Sequence, residues 1–245
     1  MKKLDLILID SFCERYYDYC PFLSRLRRDN FSSDLMPIIG YQQHLASLFS
    51  GAWPSEINVW NTFKFSPKTS IFKWTRLFSS FGIFDYKFIK YFIDFISYLR
   101  TGIGDMMPIQ IPIKIMNNFD IILREPITSK NILNYPTIFD LLRKQKISFS
   151  YFKGGLKYTD RDKGKKFFSN LIHLISRSDK QTIRNAAKDG SDFKFIYLME
   201  LDNLTHRFGV DSPEVKNKIR EIDQLLEEYL ENSNRSFIVI SDHGM

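Results

Sequence analysis

Two stretches in the last fifty residues combine side chains that hold divalent cations. Asp202 and His206 stand four apart in Met199-Glu200-Leu201-Asp202-Asn203-Leu204-Thr205-His206-Arg207-Phe208-Gly209. Ser241-Asp242-His243-Gly244-Met245 sets a second carboxylate beside a second imidazole. Hard oxygen plus imidazole nitrogen suits zinc or manganese. Either pair alone also reads as plain structure, a surface Asp–His hydrogen bond or an Asp capping the turn after a strand. A third acid, Asp10, closes the apolar run Leu4 to Ile9, and together the three places point to a catalytic divalent-metal site.

The elements that must position these residues follow from pattern. Leu4 to Ile9 is a short apolar run of the kind buried in a parallel sheet. A helix is expected from Pro21 to Arg28, with Pro in its first turn, and another from Gln43 to Ser50, closed by Gly51. Ile71 to Phe81 and Tyr86 to Arg100 read as two further helices, the second with Phe84, Phe88, Tyr91 or Phe92, Phe95 and Leu99 along one face. Its charges exclude a membrane span. The proline-interrupted stretch from Pro108 to Pro112, with the uneven segment up to Asn134, reads as an insertion or cap between two halves of the sheet domain.

Alternation then resumes. Pro136 to Gln145 is expected to be a helix, Ile147 to Phe152 a strand, Asp162 to Ser176 a helix, and Phe193 to Leu201 a strand ending at Asp202 in a loop that contains Gly209. Ser212-Pro213 opens a helix to about Glu231, and Ser236 to Ile240 is the last strand. Strands alternating with helices imply a parallel, doubly wound sheet. In such sheets ligands sit beyond the carboxyl ends of the strands, which is where this reading places Asp10, Asp202 and Asp242.

Composition narrows the class. The chain has 245 residues, 44% of them hydrophobic and 26% charged, enough for a sizeable core and unlike a disordered chain or a membrane bundle. A net charge of +7 favours anionic partners such as small phosphates. The basic residues are scattered, and no zinc-finger, basic-zipper or RNA-binding signature accompanies them, so no specific nucleic-acid binding is expected. Two cysteines, Cys13 and Cys20, are too few for a disulfide framework. With no signal-like apolar segment at the start, a cytoplasmic setting is expected.

The pattern D-x-x-x-H-x-x-G, then a helix, then S-D-H-G-M resembles the alkaline phosphatase superfamily, in its nucleotide pyrophosphatase and phosphodiesterase branch. Asp10 at the end of the first strand, Cys20-Pro21-Phe22-Leu23-Ser24-Arg25-Leu26, and Ala46-Ser47-Leu48-Phe49-Ser50-Gly51-Ala52-Trp53-Pro54 are similar to that family's early segments. The resemblance implies a three-layer α/β/α sandwich with a mostly parallel sheet: a single domain over residues 1–245 that carries a helical cap at about residues 64–135 and is incomplete at its C-terminus. It implies two divalent metal ions, zinc or manganese, one held by Asp10, Asp242 and His243 and the other by Asp202 and His206. It implies hydrolysis of phosphate mono- or diesters, with a small anionic phosphate ester as substrate.

Two departures accompany it. Tyr41 stands where the family has a Ser or Thr nucleophile, and the family's last His ligand lies downstream of Met245, so a fragment of a longer chain is expected. The alternatives are a noncatalytic member of the fold acting as a binding module, and a phosphomutase or phosphonate hydrolase using the same ligands. The C/S-x-P-x-R motif of sulfatases is absent, which argues against formylglycine chemistry.

Overall fold

In the computed structural model, which describes residues 3–35, 44–79, 89–90, 92–93, 95–97, 111–158 and 178–244, the first apolar run forms a strand that everything else in its unit is built around. Among the described residues, β1 (Leu4–Ile9), β2 (Phe149–Lys153), β3 (Leu156–Tyr158), β4 (Phe193–Leu198) and β5 (Ser236–Ile240) make one sheet in the order β3-β2-β4-β1-β5. β1 pairs in parallel with both neighbours, Leu4 opposite Phe193 and Ser236, and Leu8 opposite Tyr197 and Ile240. β2 runs parallel to β4, while β3 turns back antiparallel on β2. Gly154 and Gly155, both at positive φ, make that reversal possible, since a two-residue hairpin turn of this hand needs left-handed backbone at both positions.

Side chains alternate between the two faces of this sheet. Ile7 and Ile9 of β1, Ile196 and Leu198 of β4 and Phe152 of β2 share one face. Against it pack Phe22 and Leu23 of α1 (Pro21–Asp29), Ile183 and Ala186 of α2 (Asp179–Ala187), Leu201 of α3 (Glu200–Phe208), and Val215, Ile219, Ile222 and Leu226 of α4 (Pro213–Glu231). The opposite face, with Leu8, Phe195 and Tyr197, is buried as well. The chain therefore has the doubly covered, mostly parallel sheet of a three-layer α/β/α sandwich.

Buried carboxylates tie these helices together. α1 starts at Pro21, and its N-cap residue Cys20 makes no side-chain cap bond. Asp223, nearly three turns into α4, supplies the missing acceptor: the Phe22 and Leu23 amides donate to its carboxylate at 3.0 and 2.8 Å. At the other end of the sheet Asp5 accepts the Tyr229 hydroxyl at 2.7 Å and the Arg235 guanidinium at 2.6 Å. α4 itself begins on Ser212, whose hydroxyl accepts the Val215 amide, with Pro213 following, as its sequence predicts.

The chain divides into two compact units, one of Met1–Ile38, Leu142–Asp162 and Leu171–Met245, the other of Ile39–Leu141 and Lys163–Asn170. The second contains an antiparallel ribbon of Phe63–Phe65 and Phe119–Ile121 and a core around Phe72, Ile93, Ile113, Met116 and Ile121. Ala46, Ala52, Ile57, Val59 and Leu133 form a further cluster. Its exposed surface carries Trp53, Trp60, Phe65 and Leu77.

The helix expected over Ile71 to Phe81 is broken into a 3-10 turn, Lys73–Thr75, and a short helix, Arg76–Ser79. The Ser70 hydroxyl accepts the Phe72 amide at 3.0 Å, and the Asp120 carboxylate takes the Ile71 amide. In the Tyr86 to Arg100 stretch the described residues are helical, with Ile93 and Ser97 buried and Phe92 half exposed, while Phe84, Phe88, Tyr91 and Leu99 of the expected face lie outside the described residues. The helix expected over Asp162 to Ser176 lies outside the described residues. No helix among the described residues is long and apolar enough to cross a membrane.

Replacing Asp223 strands two buried amides at the start of α1. Asp223→Ala is expected to lower the unfolding free energy by about 1–3 kcal/mol in urea titrations, and Asp223→Asn, which keeps one acceptor oxygen, to lose less. Equal losses for the two variants would refute the capping role.

Candidate metal centre

β1 delivers Asp10 to the carboxyl end of the sheet. Its amide continues the ladder, donating to the Leu198 carbonyl at 3.0 Å, and its carboxylate falls on the same face as Leu8 and Tyr197. The Tyr197 hydroxyl donates to Asp10 Oδ2 at 2.7 Å, which leaves Oδ1 facing His243 Nε2 at 3.3 Å.

β5 ends at Ile240, opposite Leu8 and two positions short of Asp10's level, and the turn that follows brings in Asp242 and His243. That turn is held from within: the Ser241 hydroxyl donates to the His243 carbonyl at 2.9 Å, and the His243 amide to Asp242 Oδ1 at 3.0 Å. Gly244 lets it lie against the chain leaving β1, because a Cβ at this position would sit 2.8 Å from Cys13 Cβ. One ligand atom from each of Asp10, Asp242 and His243 lies within 4.8 Å of the others.

Asp202 and His206 do not sit in a loop after a long strand, as their sequence context suggests. β4 ends at Leu198, and both residues belong to α3. Asp179 is the reason. Fully buried at the start of α2, its carboxylate accepts the Met199 and Glu200 amides at 2.9 and 3.1 Å, satisfying donors that a helix N-terminus leaves open. The Asp179 amide in turn donates to Glu200 Oε2 at 3.0 Å, and Lys218 binds the same oxygen at 2.6 Å. On a helix, residues four apart share a face, and His206 Nε2 stands 3.4 Å from Asp202 Oδ1.

The two groups meet through Ser11. Its hydroxyl lies 2.7 Å from Asp202 Oδ1 and 3.2 Å from His243 Nδ1, and its amide donates to Asp242 Oδ1 at 3.4 Å. The structure thus gathers Asp10, Asp202, His206, Asp242 and His243 at one end of the sheet. Tyr41 lies outside the described residues. Sequence reading missed Ser11, Tyr197 and Asp179. Ser11 follows Asp10 directly and Tyr197 stands opposite Leu8, on the face Asp10 shares, but nothing local marks any of the three.

The neighbouring carboxylates raise the proton affinity of Asp10. Burial does most to lift the Asp10 carboxyl above its ordinary range, and the charges of Asp242 and Asp202 add to that, against the hydrogen bonds from His243 and Tyr197. The hydrogen bond to Asp10 pushes His243 up to about 9, with the nearby Asp charges adding to it. A protonated imidazole therefore supplies part of the positive charge this cluster needs at neutral pH. A donor set of carboxylate oxygens and imidazole nitrogens fits a zinc or manganese ion in the same role.

Two outcomes follow from the scaffolding. Burial, and after it the neighbouring Glu200, pushes the Asp179 carboxyl up to about 7. A raised carboxyl contributes stability that is complete below its unfolded value and is lost as pH rises through the folded one. The denaturation midpoint of the protein is therefore expected to fall, relative to Asp179→Asn, between about pH 4 and 7; parallel pH profiles for the two proteins would contradict this. Gly244→Ala is expected to destabilise the chain, and Cys13→Gly to relieve that effect, with a coupling of about 0.5–3 kcal/mol in a double-mutant cycle. Additive losses would show that the two positions do not touch.

Residues 119–245 match the family model described as type I phosphodiesterase / nucleotide pyrophosphatase. A comparison with curated proteins gives no match. Among solved structures, the chain is similar to an inactive variant of murine ectonucleotide pyrophosphatase / phosphodiesterase 5 in complex with AMP, at 14% identity and a TM-score of 0.54. The likeness covers all of this chain and 57% of the murine one, so the chain spans little more than half of that relative's length. At that identity the likeness is one of fold.

Proposed function

The chain belongs to the type I phosphodiesterase / nucleotide pyrophosphatase family, and we propose that its five clustered side chains hold two divalent cations, zinc or manganese, in a centre that hydrolyses phosphate mono- or diesters. The observation that carries this reading is the approach of Asp10, Asp242 and His243 within 4.8 Å, joined to the Asp202–His206 pair through the Ser11 hydroxyl. Asp10, Asp242 and His243 would hold one cation, and Asp202 and His206 the other. When bound, such a pair supplies stabilisation of the charge that develops on the attacking and leaving oxygens of an in-line displacement at phosphorus.

The chain's own residues do the positioning. Tyr197 holds Asp10 Oδ2 and turns Oδ1 inward. Burial and the Asp10 charge push the Tyr197 phenol well above its ordinary value, so it stays a donor at every working pH. His243 must give up its proton before it can act as a ligand, which makes cation entry easier as pH approaches about 9. Asp179 fixes the first turn of α3 and with it the direction in which Asp202 and His206 project.

The AMP bound by the murine relative makes nucleotide esters the first substrate class to assay. Residues 64–135 are proposed as the cap that selects among phosphate esters, and Tyr41 as the residue in the nucleophile slot. A phenol there also motivates the second reading, a noncatalytic member of the family that keeps the cation site.

Purified protein loaded with zinc or manganese is expected to turn over bis-(4-nitrophenyl) phosphate or 4-nitrophenyl phosphate. Asp242→Ala and His206→Ala, each removing a ligand, are expected to lower the rate at least 100-fold, a loss of about 2.7 kcal/mol or more in transition-state stabilisation, and chelation to abolish it. Cation binding without turnover of any phosphate ester would overturn the hydrolase reading in favour of the binding module.

A further inference from the structure

Ser11 combines three properties that a spacer residue does not need. Its backbone is left-handed, with φ at +63°, a conformation that strains a residue bearing a Cβ and that glycine adopts freely. It is fully buried. Its hydroxyl touches one residue from each half of the cluster, Asp202 Oδ1 at 2.7 Å and His243 Nδ1 at 3.2 Å.

A serine hydroxyl has one proton and two lone pairs. The carboxylate of Asp202 can only accept, so the Ser11 proton goes to Asp202. The contact with His243 must then run the other way, Nδ1–H donating to Ser11 Oγ. In the metal-free protein Nε2 also carries a proton and donates it to Asp10 Oδ1 at 3.3 Å, with Asp242 Oδ2 at 3.9 Å; with Nδ1–H engaged by Ser11, this is the proton a cation would replace, which turns the Nε2 lone pair toward the cluster. The same bond leaves Asp202 Oδ2 outside the contacts that Ser11 and His206 make with Oδ1.

We propose that Ser11 is a positioning residue of the metal centre: its hydroxyl fixes the His243 tautomer with Nε2 inward and ties Asp202 to it, so that both half-sites are set by one atom. This deepens the metal-centre reading above and rests on it. Partners that orient metal-ligating histidines in this way are worth about 10–100-fold in metal affinity, which is enough to offset a strained backbone.

Ser11→Gly separates the hydroxyl from the strain, because glycine adopts the backbone freely. The metal-free variant is expected to melt at or above the wild-type temperature. In calorimetric titrations with zinc or manganese its affinity is expected to fall about 10–100-fold. Ser11→Ala is expected to show the same loss of affinity with a lower melting temperature. Wild-type affinity and stoichiometry in Ser11→Gly would overturn the proposal and leave the metal centre standing. A metal-free Ser11→Gly that melts well below wild type would make the hydroxyl a folding contact and overturn it as well. A wild-type protein that binds neither cation would sink the metal-centre reading, and this inference with it.

Discussion

The parallel pairing of β1 with β4 on one side and β5 on the other is the constraint on which the rest of the structure depends. Two ladders in the same direction and nearly level fix where three chain segments leave the sheet: Ser11 after β1, Met199 after β4, Ser241 after β5. Side-chain parity does the remainder. Asp10 has the parity of Leu8 and Tyr197, so its carboxylate meets the Tyr197 hydroxyl and does not turn into the helical core where Ile9 lies. A slip of one residue in either ladder would turn Asp10 or its neighbours to the other face.

The chemistry of the cluster follows from bringing acids to such a place. Asp10, Asp202 and Asp242 would repel one another without compensation, and the protein compensates with the His243 imidazole and the Tyr197 and Ser11 hydroxyls. Elsewhere the same fold buries carboxylates for a different purpose. Asp223 and Asp179 each accept two backbone amides at the first turn of a helix, and Asp5 is paired with Arg235 and Tyr229. Among the described residues the buried acids are thus helix anchors satisfied by amides, Asp179 and Asp223, ion-paired braces, Asp5 with Arg235 and Asp120 with Arg124, or, in Asp10, a member of the candidate centre.

Much of this was legible in the sequence, and the reason differs from residue to residue. The Leu4 to Ile9 and Ser236 to Ile240 strands and the α4 helix announce themselves through local apolar pattern and the Ser212-Pro213 start, and the structure gives them the expected bounds. That Asp10, Asp202, His206, Asp242 and His243 come together could be expected because few residue types suit cation ligation; their role as ligands is the proposal. The helical state of Asp202 was not, because an apolar run through Met199 to Leu201 reads as continued strand, and the anchor that ends it, Asp179, comes from a helix some twenty residues earlier. Ser11 was hidden by its ordinariness: a serine after an Asp signals nothing until the backbone angle and the two contacts are known. The β3 hairpin was missed although Gly154-Gly155 marks it.

The central place of β1 in the sheet has a consequence for the order in which the molecule can form. Both of its hydrogen-bonding edges are completed by strands that begin about 190 and 230 residues later in the chain. At ordinary rates of synthesis, β4 emerges on the order of 10–40 seconds after β1. Throughout that interval an apolar segment with two open edges has no native partner, and all its eventual contacts are of the long-range kind that slow folding. The cluster of acids cannot exist before this closure, so the cost of crowding their charges is met only by a chain whose sheet is already complete.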